Sequence, residues 1–238
     1  MHDPRRTLNF PSWFNARDLG GYPTSDGQTT RWRSILRADD PAQLTSEGLQ
    51  TLADFGVATV VDLRWPEEIA DSPNPIRDLG HIRYHNISLL SRTGGEWAAL
   101  TGEISKERWV CAVLEHSRSE LRSVLTTIAN CAPGPLLFHC VAGKDRTGTI
   151  AAMLLALADV IPEAIAYDYA MSSENLRESY LVRHAHLGRE AILEALRCPP
   201  EGVHNMLEFL DGFGGVAGYL ADIGLADDEI ERLRARLR

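Results

Sequence analysis

An α/β fold, with a mainly parallel central sheet flanked by helices and a helical C-terminal part, is predicted by three features of this 238-residue sequence. Residues 57–63 and 136–138 are short apolar runs without polar alternation, the pattern of strands buried on both faces of a sheet. Strand-like and helix-like segments alternate along the first two thirds of the chain, as βα units do. After Pro162 the apolar spacing reads helical throughout.

The elements follow in order. Residues 34–37 alternate apolar and polar and form a short strand after the turn-rich Leu19-Gly20-Gly21-Tyr22-Pro23. Thr45 caps a helix over 46–55, with Leu49, Leu52 and Ala53 on one side and Gly56 as its stop. After the strand at 57–63, Pro66 opens a helix at its first turn, and the alternation over 82–89 marks another strand. Residues 91–108 are polar and include Trp97; they are either a lid over a site or an ordinary surface connection. One helix is expected to run to about Asn130, with Val110, Leu114, Leu121, Leu125 and Ile128 at helical spacing, ended by Pro133-Gly134-Pro135. A central strand at 136–138 leads to a helix from about Arg146 through Ile150, Met153, Leu154 and Leu157, and Ile230, Leu233 and Leu237 share one face of the last helix. With no repeat, low-complexity tract or linker, residues 1–238 read as a single domain.

Composition narrows the function. A formal net charge of −9 argues against a broad nucleic-acid-binding face, although a local basic pocket remains compatible with it. The longest apolar run, 150–157, is far short of the roughly 20 residues that span a bilayer, so no integral membrane segment is expected. The first ten residues carry Asp3, Arg5 and Arg6 and no apolar core, which is unlike a signal peptide. Four cysteines show neither CxxC spacing nor a disulfide framework, and a reducing cytoplasm is the expected compartment, with signal-independent secretion left open. The His pairs 81/85 and 184/186 lack ligand spacing, and neither a metal nor a cofactor is expected.

The chemistry concentrates in His139-Cys140-Val141-Ala142-Gly143-Lys144-Asp145-Arg146-Thr147-Gly148. A loop between a central strand and a helix lies where open α/β sheets bind ligands, and the helix N-terminus supplies unsatisfied N–H groups and partial positive charge. Main-chain donors from Val141, Ala142, Gly143, Lys144, Asp145 and Arg146 can therefore wrap a phosphoryl dianion, with Gly143 permitting close approach. Cys140, at the rim, is expected to be substantially thiolate and to attack phosphorus. Arg146 can hold two phosphoryl oxygens with its planar fork, which lysine cannot. Thr147 can donate its hydroxyl to the sulfur. Read separately, Cys140 is an ordinary buried thiol and Arg146 a surface helix residue; the shared strand–loop–helix setting disfavours both readings. Lys144 does not complete a nucleotide-binding loop, because Asp145 follows it in place of Ser or Thr.

This Cys-x5-Arg loop resembles the signature of the protein tyrosine phosphatase superfamily. The Gly143-Lys144-Asp145-Arg146-Thr147-Gly148 version is similar to the bacterial atypical tyrosine and lipid phosphatases typified by the mycobacterial secreted tyrosine phosphatase of type B. Asn15-Ala16-Arg17-Asp18-Leu19-Gly20-Gly21, Val61-Asp62-Leu63-Arg64 and Gly218-Tyr219-Leu220 match that pattern in order, so the resemblance covers nearly the whole chain. It implies a phosphatase-like sheet and a phosphocysteine intermediate. It also implies phosphotyrosine proteins as substrates, and phosphoinositides through the extra cation of Lys144.

A proton donor for the leaving oxygen is less evident. Classical members of the superfamily carry an aspartate on a mobile loop upstream of the cysteine, but residues 109–130 contain Glu115 and Glu120 and no Asp. Trp65-Pro66-Glu67 superficially matches that loop yet lies far upstream and reads as a helix start. Asp145 is the first candidate, as the resemblance to the bacterial phosphatases implies, and a helix N-terminal anion is its structural alternative. Asp62 is the second, ending a strand expected beside 136–138; a partner for Arg64 is its structural alternative. Asn15, Arg17 and Asp18 are expected to support the loop through hydrogen bonds. A phosphate-recognising pseudophosphatase and, more remotely, a sulfurtransferase are the competing functional classes.

Overall fold

The computed structural model describes residues 2–8, 10–90 and 104–238. Among these, strands β1 (Arg17–Asp18), β2 (Ile35–Ala38), β3 (Thr59–Asp62), β4 (Arg83–Asn86) and β5 (Leu136–His139) form one sheet in the order β1-β2-β5-β3-β4. All neighbours are parallel except β1, which pairs antiparallel with β2 at the edge. Strand β5 is central: Leu136–His139 register with Ile35–Ala38 on one side and Thr59–Asp62 on the other.

Every residue of β2, β3 and β5 is buried, which is why the runs at β3 and β5 lack polar alternation; in β2 the polar position of the alternation, Arg37, is buried too, against Asp168. The period of two still sorts their side chains. Leu36, Val60 and Leu137 join Leu52 and Ile76 in one core, while Ile35, Val61, Leu136 and Phe138 join the helices that follow β5 in the other. The expected strand at 82–89 is present as β4, whose ends are exposed as befits an edge. Helix α1 (Ser46–Phe55) has Thr45 as its cap, accepting from the Gly48 N–H, and ends on Gly56 in the left-handed conformation. Helix α2 (Pro66–Asp71) begins at Pro66 as expected.

The single helix expected up to Asn130 is instead two, α3 (Trp109–His116) and α4 (Arg118–Asn130), joined at Ser117. Hydrogen bonding runs through the joint, Ser117 N–H to Val113 and Leu121 N–H to Ser117, so it is a kink rather than a loop. The two halves serve different partners: α3 packs on the helix Glu201–Asp211, and α4 on the C-terminal helix Asp227–Leu237. Helix α5 (Asp145–Leu157) follows β5 directly, and α6 (Pro162–Arg183) lies against it. The rest of the chain is helical with short turns, as the spacing predicts. Most of the polar segment at 91–108 lies outside the described residues. No described helix is long and apolar enough to cross a membrane.

Candidate active site

The loop from Cys140 to Lys144 closes over the carboxyl end of β5 and enters α5. Its path depends on Gly143, whose φ is +62° and whose missing Cβ would stand 2.3 Å from the Ala38 carbonyl oxygen at the end of β2. Two buried side chains grip the loop from behind. Asn15 Nδ2 donates to the carbonyls of Ala142 and Gly143, both at 3.0 Å, and Arg37 Nη2 donates to Gly143 at 2.6 Å. In a trans peptide the N–H points opposite to the C=O, so anchoring these carbonyls turns the N–H groups of Gly143 and Lys144 to the other side. Among the described residues, none of the main-chain N–H groups from Val141 to Thr147 donates to a protein acceptor. Unused donors in a loop ahead of a helix are what an anion cradle is built from.

The anchors are themselves fixed by Asp168 on α6. Its carboxylate meets Arg17 at 2.8 Å and Arg37 at 2.5 Å, and Tyr22 donates to it at 2.9 Å. Burial alone would raise the Asp168 pKa, but the two guanidinium charges outweigh it and hold the carboxyl well below the ordinary range. Arg17 also donates to Asn15 Oδ1 at 2.6 Å, orienting the amide that holds the loop. Asn15 and Arg17 thus have the supporting placement expected of them, while Asp18 caps the neighbouring turn through Gly20 and Arg33.

Cys140 is buried at the loop's start, and its neighbour Val141 is exposed. Arg146 turns back from α5 and is met by a residue the sequence did not single out. Glu68 accepts from Nη1 at 2.7 Å and from Nη2 at 2.8 Å, and Leu63 accepts from Nη1 at 3.3 Å. Of the five guanidinium N–H groups, those three are used. Among the described residues, Nε–H and the other hydrogen of Nη2 have no acceptor, and they share one edge of the plane, the two-point edge a phosphoryl group needs. Burial opposes the Glu68 charge, but the Arg146 bonds prevail and lower its pKa. The only sequence signal for Glu68 was its place three residues after Trp65, where its carboxylate accepts the Trp65 N–H at 2.8 Å.

Both carboxylates proposed from the sequence as proton donors face cations. Lys144 Nζ stands 2.9 Å from Asp145, with its side chain buried. Burial works to lower the Lys144 pKa, but the Asp145 charge prevails and raises it. Asp62 is fully buried and bonded by Arg64 Nη2 at 2.8 Å, Asn74 at 3.0 Å and Tyr84 at 2.7 Å, with His139 Nε2 at 3.4 Å. Burial opposes its charge, yet His139 and Arg64 hold its carboxyl well below the usual range. The reading of Asp62 as a partner of Arg64 therefore describes its contacts, and it offers no bound proton near neutral pH. The Thr147 hydroxyl is buried without a hydrogen-bond partner among the described residues, so the expected bond to the Cys140 sulfur is not made in this structure.

A mainly parallel sheet whose central strand runs into a loop of unused N–H groups, with a cysteine at its start and a braced arginine after it, is an α/β architecture with a candidate anion site and a candidate nucleophile. The chain belongs to the tyrosine phosphatase family, whose model matches residues 8–238. It is 32% identical to a tyrosine-protein phosphatase of Nostoc commune over 219 residues, 86% of this chain and 74% of the relative. A putative tyrosine-protein phosphatase of Cupriavidus necator is 29% identical over 92% of this chain and 84% of its own length. The triple specificity protein phosphatase PtpB of Mycobacterium tuberculosis is 25% identical over 95% of this chain and 97% of its own.

Proposed function

We propose that the protein is a cysteine-dependent phosphomonoesterase acting through a phosphocysteine intermediate, with phosphotyrosine proteins as its main substrates. The observation that carries this reading is the row of N–H groups from Val141 to Thr147 that find no acceptor among the described residues, in the loop that joins Cys140 to an Arg146 with one edge left open. The N–H groups and Arg146 bind the three non-bridging oxygens and match their charge in the transition state. Cys140 sulfur attacks phosphorus as the ester oxygen leaves, and water then cleaves the S–P bond. Asp145, bound to Lys144, accepts a hydrogen bond from that water and orients it. Asp62 acts through Arg64 and His139 and is a positioning residue.

Family membership and the relatives' names support phosphatase activity on tyrosine. Phe14 and Val141, both exposed beside the loop, are apolar surfaces suited to an aryl ring. A phosphoinositide arm rests on Lys144, whose buried ammonium adds positive charge to the cradle. The test is hydrolysis of phosphotyrosine peptides and phosphoinositides by wild type and Cys140→Ser. Turnover that is chelator-insensitive, vanadate-blocked and lost in the variant is expected, and a folded Cys140→Ser that retains activity overturns the mechanism.

A further inference from the structure

The cleft beside the loop contains a carboxyl in a different setting from Asp62, Asp145 and Glu68. Asp39 follows β2, where its main chain lies against Gly143 and the next N–H, of Asp40, donates to the Val141 carbonyl at 2.8 Å. Its carboxyl helps line a cleft of about 180 Å³ together with Val141, Ala142, Tyr180 and Arg183. Among the described residues the carboxyl accepts from main-chain N–H groups, Asn15 at 3.0 Å and Phe14 at 3.3 Å, and from no side chain. It is 5% exposed. Burial raises its pKa to about 6, against the pull of those N–H groups and of Arg183.

The other groups facing this cleft are accounted for. Tyr180 is pushed up to about 12 by burial first and then by the charges of Cys140, Asp145 and Asp39. Arg183 lies 4.9 Å over the Phe14 ring, and the His184 ring packs 4.9 Å from Tyr180. Asp40 is paired with Arg64 at 2.9 Å and accepts from the Ser72 hydroxyl at 2.9 Å.

We propose that Asp39 is the catalytic acid of the first step, an inference that rests on the phosphatase reading above. The S–P bond forms and the P–O ester bond breaks as the Asp39 proton passes to the departing oxygen, which leaves as a phenol or alcohol. In the second step the attacking water forms its P–O bond, the S–P bond breaks, and the proton of that water returns to Asp39. Asp39 is suited to this because it is buried with no cationic side chain bonded to it among the described residues, so it carries a proton in a pH range where a paired carboxylate is ionised.

The test compares phenyl phosphate, a poor leaving group, with 2,4-dinitrophenyl phosphate, a good one. In Asp39→Asn, kcat on phenyl phosphate should fall about 100-fold or more, while the dinitrophenyl rate changes less than about 3-fold. In wild type, without any substitution, the phenyl-to-dinitrophenyl rate ratio should drop as pH rises through about 6. An equal loss on both substrates, or a wild-type ratio independent of pH across that range, overturns the proposal. Thermal unfolding and vanadate binding check that Asp39→Asn is intact; if it is not, the wild-type ratio alone decides. A wild type inactive on both substrates, or an active Cys140→Ser, removes the phosphatase reading itself, a result separable from failure of Asp39 alone.

Discussion

Glu68 grips Arg146 with a two-point carboxylate bridge, 2.7 and 2.8 Å, on the Nη1–Nη2 edge of the guanidinium. The bridge comes from α2, an element remote in sequence from the loop, and it leaves the Nε–H and one Nη2 hydrogen as the pair that the proposed function assigns to an oxyanion. The Arg146 guanidinium also stacks on Trp65 at 4.8 Å, so helix α2 and its cap set both the plane and the roll of the fork.

Removing that brace should reduce catalysis without unfolding the protein. Glu68→Ala leaves Arg146 in place but free to turn, and kcat/KM on an aryl phosphate should fall about 10-fold or more, equivalent to about 1.4 kcal/mol of transition-state stabilisation. Vanadate affinity measured by calorimetry should weaken in parallel. Unchanged vanadate affinity would show that Arg146 needs no brace.

Gly143→Ala should be more damaging than any other single methyl addition to the loop. The added Cβ meets the Ala38 carbonyl at 2.3 Å and the residue must hold a φ of +62°. A stability loss of more than about 2 kcal/mol, read from denaturant unfolding, is expected together with loss of phosphate-site binding.

The Asp168 ion network should give the fold a steep acid limit. Its folded pKa lies below the unfolded value of 3.8, so its contribution to stability is fully present above 3.8 and is lost as pH falls below it. Asp62 behaves in the same direction. Asp168→Asn, which strands two buried guanidinium groups, should cost about 3–5 kcal/mol at neutral pH and flatten the loss of stability below pH 4. Urea melts at a series of pH values provide both readings.

Asp39 should show the opposite sign. Its folded pKa, about 6, is above the unfolded 3.8, so the stability it confers is complete below 3.8 and is lost as pH rises through 6. Asp39→Asn keeps an acceptor for the Phe14 and Asn15 N–H groups and removes the buried charge. At pH 8 the variant should be more stable than wild type, by an amount on the order of 1–3 kcal/mol, and the gain should vanish below pH 4. A variant less stable than wild type at pH 8 would contradict the raised carboxyl.

Much of the sheet was legible because its strands obey local rules. Runs without polar alternation at β3 and β5 announced burial on both faces, and Thr45 and Gly56 bracketed α1 at both ends. The two-residue β1 was not legible, since Arg17 and Asp18 are both charged, and Arg17 is buried against Asp168 from a distant segment. The kink at Ser117 escaped for a related reason: apolar spacing continues through it, and only packing on two different helices bends the chain there. At the site, the motif residues were visible as a contiguous string. Glu68, Arg37 and Asp39 were not, because each reaches the loop from another strand end or helix and carries no local pattern of its own.

The most direct test of the central claim is mass spectrometry of the Cys140 peptide after rapid acid quench during turnover of an aryl phosphate. A phosphoryl adduct on Cys140, formed at a rate competent for turnover and absent in Cys140→Ser, is the predicted result. Steady turnover with Cys140 unmodified at every quench time, and retained in Cys140→Ser, would contradict it.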